Sequence, residues 1–94
     1  MRGIKKIEHI TTYRNFCADT DNVLYDKSTI INEAYIITYA EGQMFVTQNY
    51  AGLPKKVKKF FSRKYKYPHL YKQDFRFTFN HTAEINTYTF KEPI

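Results

Sequence analysis

The stretch EAYIITYAEGQMFVTQNY, residues 33–50, sets the architecture. Its two halves, 33–40 and 43–50, are rich in β-branched and aromatic side chains, the types that fit a pleated, half-buried surface. Between them stands Glu41-Gly42. Gly42 can take the positive φ of a tight reversal without a steric penalty. The pattern predicts a β-hairpin, and with it an antiparallel sheet.

Working outward, a second hairpin is expected near the C-terminus. Phe75, Phe77 and Phe79 alternate with Asp74, Arg76 and Thr78, the period of a strand with one buried face. Asn80-His81-Thr82-Ala83 supplies a turn, after which Ile85, Thr87 and Thr89 alternate with Asn86, Tyr88 and Phe90. The three phenyl rings are expected to face the core, each contributing on the order of 2–3 kcal/mol if fully buried. Residues 4–13 give a mixed signal. Ile4, Ile7, Ile10 and Tyr13 recur every three residues, which half fits a helix, but Ile10, Thr11, Thr12 and Tyr13 favour a strand. A strand is expected there. The Asp, Asn and Ser content of NFCADTDNVLYDKST, residues 15–29, predicts turns.

One helix is expected between the hairpins, over residues 54–66. Pro54 suits the first helical position, where its missing N–H costs nothing. Leu53 is a poor N-cap, so packing should fix that end. Val57, Phe60, Phe61 and Tyr65 recur at helical spacing. Lys55, Lys59, Arg63 and Lys66 fall on the other side, with Lys56, Lys58 and Lys64 along the flanks. Pro68 should stop the helix at or before Tyr67. The expected fold is α+β: a small antiparallel sheet of four or five strands, built as two hairpins and packed against one main amphipathic helix. The 94 residues show no repeat, linker or internal boundary and fit a single domain over 1–94.

Charge is the most informative feature. The net charge is +6, but eight of the fifteen lysines and arginines lie within residues 52–72, where there is no acid. The rest of the chain holds seven bases against nine acids. The sequence thus describes a near-neutral body carrying one basic element. Cys17 is the only cysteine, which excludes an internal disulfide or a cysteine-rich zinc site and suits a reducing compartment. No apolar run approaches a bilayer-spanning length, and MRGIKKIEHITTYRN lacks the features of a signal peptide. A cytoplasmic setting without a membrane partner is expected. Abundant isoleucine, lysine, asparagine and tyrosine with scarce glycine fit an A+T-rich gene, as in small viral or mobile-element genomes.

The first functional expectation is nucleic-acid binding. Lys55, Lys56, Lys58, Lys59, Arg63, Lys64, Lys66 and Lys72 would attract phosphates without regard to sequence. Tyr65, Tyr67 and Tyr71 are interleaved with them and offer faces for stacking on unpaired bases, and His69 lies among them. Lysine outnumbers arginine seven to one in this run, which favours backbone contact over bidentate reading of bases. The alternative is a protein-interaction module of a virus or mobile element, docking the same cations on an acidic surface of a host protein. A homodimer would double the basic footprint under either role. A third possibility, a small ribonuclease or toxin, would use His69 with neighbouring Lys, Arg or Tyr. The sequence itself shows no catalytic motif: His9, His69 and His81 lie far apart, and no metal spacing or glycine-rich phosphate loop occurs. Asp19-Thr20-Asp21-Asn22 lacks the glycine and terminal glutamate of a calcium loop and is expected to be a turn. No catalytic residue, metal or cofactor is expected.

Overall fold

The computed structural model describes residues 3–19, 22–78 and 80–94, with side chains from 16 to 29 left aside. Five strands run in the order β1 (Ile4–Asp19), β2 (Asn22–Tyr39), β3 (Met44–Thr47), β4 (His69–Phe77) and β5 (His81–Phe90). One helix, α1 (Lys55–Ser62), lies between β3 and β4. The strands form one sheet in the spatial order β3-β2-β1-β5-β4, and each neighbouring pair is antiparallel. The fold is an α+β arrangement of a five-stranded antiparallel sheet and one helix.

The stretch over 33–50 pairs as its composition requires. Tyr35 lies opposite Thr47 and Thr38 opposite Met44, with Gly42 at φ 94° in the reversal. β3 is shorter than the expected 43–50, because the chain leaves the sheet after Thr47 and enters a 3-10 turn at Tyr50–Gly52. The expected strand over 4–13 forms and runs on to Asp19. Its helix-like spacing has a local cause. Residues three apart in a regular strand point to opposite faces, yet Ile4 and Ile7 are both buried. The pairing with β2 shifts register between Ile4 and Lys6, and such a bulge turns one residue back to the buried side.

The turn region expected over 15–29 is corrected. β1 continues to Asp19 and β2 begins at Asn22, so most of that segment is strand. Thr20 and Asp21, the centre of the acidic motif, lie outside the described residues. A strand of sixteen residues extends for roughly 50 Å, which accounts for the long axis of a molecule measuring 50 × 24 × 23 Å.

The core lies at one end of this long sheet. Ile7, Ile37 and Tyr88 share a cross-strand row, and Val57 and Phe60 of α1 are buried in the same cluster. Phe60 is the centre: its ring lies 4.9 Å from Phe90, 5.0 Å from His69 and 5.3 Å from Tyr88, all near edge-on. Edge-to-face contacts of this kind add to the value of burial alone. Leu53 is buried and no side chain caps the helix at Pro54, so packing does fix that end.

Two expectations fail here for one reason, the brevity of α1. The helix stops at Ser62 rather than near Tyr67, and the backbone continues as a 3-10 turn over Lys64–Lys66. Tyr65 therefore leaves the apolar stripe and is 82% exposed. Eight residues of helix cover about 12 Å, far less than the sheet. Phe75 and Phe77 lie beyond the helix and are exposed, at 38% and 59%, instead of facing the core. They stack on each other at 6.2 Å. Phe79, the third ring of that triad, lies outside the described residues. The core aromatics of the C-terminal strands are Tyr88 and Phe90.

Candidate polyanion interface

α1 presents Val57 and Phe60 to the sheet, so the residues a helical turn apart on its other side point away. Lys55, Lys59 and Ser62 are exposed there. Arg63 closes the helix, its backbone N–H donating to the carbonyls of Lys59 (3.0 Å) and Phe60 (3.2 Å). The following 3-10 turn carries Lys66, also exposed. Lys59, Ser62, Arg63, Lys66 and Tyr67 line one shallow concavity. Within α1, helical rise places Lys55 and Lys59 about 6 Å apart along the axis.

Ion pairs decide what this side can attract. Among the described residues, carboxylates lie against Lys6 (Glu8), His9 (Glu33) and Lys72 (Asp74). None involves Lys55, Lys59, Arg63 or Lys66, so these four cations meet no carboxylate among the described residues. The flanking lysines differ. Lys56 donates to the carbonyl of Ile94 at 3.5 Å, and Lys58 donates to that of Ala51 at 3.1 Å. Lys64 donates to the hydroxyl of Tyr88 at 3.2 Å, and its ammonium lies 4.9 Å from the centre of that ring. Lys58 and Lys64 are thus fixed in place by neutral partners.

The remaining expected site residues are not gathered on this side. Lys72 sits in β4 and pairs with Asp74 at 3.4 Å, so its charge is locally offset. The tyrosines are also mostly engaged. Tyr67 is half-buried with its ring 5.9 Å from Phe60. Tyr71 packs on Tyr88 at 5.2 Å and donates its hydroxyl to Asn86. Tyr65 is the most exposed tyrosine of this run, and Tyr71 is exposed as well as engaged. His69 is the first residue of β4. Its Nδ1–H donates to the Tyr67 carbonyl at 2.6 Å, and its ring abuts Phe60.

No known protein family, curated protein or solved structure matches the chain.

A polar row on the helix-bearing face escaped sequence reasoning. β1 places Thr11 between Glu33 of β2 and Glu84 of β5. His9 Nε2 lies 2.6 Å from Glu33 Oε1, and the imidazole stacks on Tyr35 at 4.2 Å. Tyr35 donates its hydroxyl to the same carboxylate oxygen at 3.0 Å. Burial, then the hydrogen bond and charge of Glu33, push the Tyr35 phenol up to about 12. Glu84 is buried and accepts from Tyr13 (3.0 Å) and from Gln73. Burial likewise raises the phenol of Tyr71. These groups are scattered over 75 positions of sequence, and only the three-strand register unites them. Each of the two carboxylates is matched by donors of the row itself, and burial requires this of Glu84. No group of three metal-ligating side chains occurs among the described residues, and no helix among them is long and apolar enough to cross a membrane.

Proposed function

We propose that this protein is a small cytoplasmic nucleic-acid-binding protein that grips the phosphate backbone with Lys55, Lys59, Arg63 and Lys66. The observation that carries this role is a set of four cations, Lys55 and Lys59 on α1 and Arg63 and Lys66 just after it, with no carboxylate against them among the described residues. Lys58 and Lys64 add fixed positive charge, and exposed Tyr65 offers a stacking face beside them. In this role α1 acts as an amphipathic element carried on the sheet, with the β2–β3 and β4–β5 pairs as two hairpins. Recognition is by charge and shape, with weak dependence on base sequence.

The test is fluorescence anisotropy with labelled 20-mer single strands of DNA and RNA and with a duplex. The wild-type protein should bind at low salt. A variant with Lys55, Lys59, Arg63 and Lys66 changed to Glu should lose at least tenfold in affinity while keeping its far-ultraviolet circular dichroism. Equal binding by that folded variant, or no binding by the wild type, would refute the role. In the second case, recovery of one stoichiometric acidic protein from nuclease-treated extract would assign the same cations to a protein partner.

A further inference from the structure

β4 lies at one edge of the sheet, and among the described residues nothing pairs with its outer side. Natural proteins usually blunt such edges with short strands, bulges or prolines. β3, at the opposite edge, is only four residues long. β4 has nine residues and contains neither glycine nor proline. Its register with β5 is unbroken from His69↔Phe90 to Phe77↔Thr82. It also exposes Leu70 (63%), Tyr71 (53%) and Phe77 (59%). A long, regular edge that exposes aromatic rings beside Lys72, Asp74 and Arg76 is a template for a strand that matches those charges.

The sequence of β4, HLYKQDFRF, says which strand fits. Just past the strand, Thr78 N–H donates to the carbonyl of His81 at 2.9 Å, so even-numbered residues direct their backbone groups inward to β5. The odd-numbered residues His69, Tyr71, Gln73, Phe75 and Phe77 then direct theirs outward. Place a second β4 antiparallel to the first, with the two-fold axis at Gln73. Odd residues meet odd residues, as an antiparallel ladder requires. On one face Tyr71 meets Phe75 of the other copy and His69 meets Phe77. On the other face Lys72 meets Asp74, and Asp74 meets Lys72. The strand is thus complementary to itself in backbone pattern, in aromatic pairing and in charge.

We propose that two copies of this chain associate through antiparallel pairing of their β4 edges, forming one ten-stranded sheet centred on Gln73. The two-fold axis stands perpendicular to the sheet, so both α1 helices lie on the same face. The dimer then offers two sets of the cations described above on one side. It stands independently of what those cations bind.

Sedimentation equilibrium tests it on the intact chain. The mass should rise from 11.3 kDa toward twice that value as concentration increases. Lys72→Asp and Asp74→Lys should each weaken association by roughly tenfold or more, because each sets two like-charge pairs face to face. An equimolar mixture of the two variants should restore it, since two acids then face two lysines on the opposing strand. Both positions are exposed, and circular dichroism checks that each variant folds. A wild-type mass fixed at 11.3 kDa across the range overturns the proposal. So do single variants that associate as tightly as the wild type, or a mixture no tighter than its components.

Discussion

At the scale of single residues, Phe60 holds the molecule together. It is fully buried and touches rings from the helix, the following turn and both C-terminal strands. Its truncation opens a cavity whose walls belong to several elements and cannot all collapse. Phe60→Ala should cost about 3–5 kcal/mol, measured by urea unfolding. The same change at Phe77 removes an exposed ring and should cost well under half as much. Tyr35 makes a prediction in pH. Its folded phenol titrates near 12 against an ordinary value of 10.0. The neutral form is therefore the one the fold prefers. This contribution is fully present below about pH 10 and is lost as the pH rises from there toward about 12. Unfolding free energy of the wild type should fall through that window more steeply than that of Tyr35→Phe. Identical slopes would contradict the account.

At the scale of elements, the reversal at Gly42 is the clearest case of a local signal deciding structure. Its φ of 94° is one that other residues adopt only at a cost. Gly42→Ala should destabilise the protein by about 1–2 kcal/mol, read as a lowered melting temperature. The β2–β3 pairing, the helix and its basic side were legible in the sequence because each rests on contacts close along the chain. The Phe75–Phe77 alternation correctly marked a strand but not its covering. Whether an alternating face is buried depends on the reach of a helix elsewhere, and α1 is short. The helix end was misplaced because Arg63 leaves the helical region (φ −142°, ψ 55°) and no glycine or proline marks that point. Residues 4–13 gave a mixed signal because a bulge near Lys5 imitates a helical period, but the β-branched run from Ile10 to Tyr13 marked the strand correctly. The row of His9, Glu33 and Glu84 was not legible at all, because it exists only once three distant strands are in register.

At the scale of the whole molecule, charge and shape are divided unevenly. The core and helix occupy one end of a 50 Å sheet, and the basic side of α1 projects from that end. The chain's acids contribute two side chains, Glu33 and Glu84, to the polar row on the sheet, and neither pairs with the cations of α1. If the proposed role holds, this positive field meets an external polyanion and counterion release should dominate binding. The most direct measurement is therefore the affinity of the wild-type protein for a single-stranded 20-mer across a series of salt concentrations. Four phosphate contacts predict that the logarithm of the association constant falls against the logarithm of salt with a slope of about −3. A slope near zero, or binding that persists unchanged at high salt, would contradict the claim that these cations make the contact.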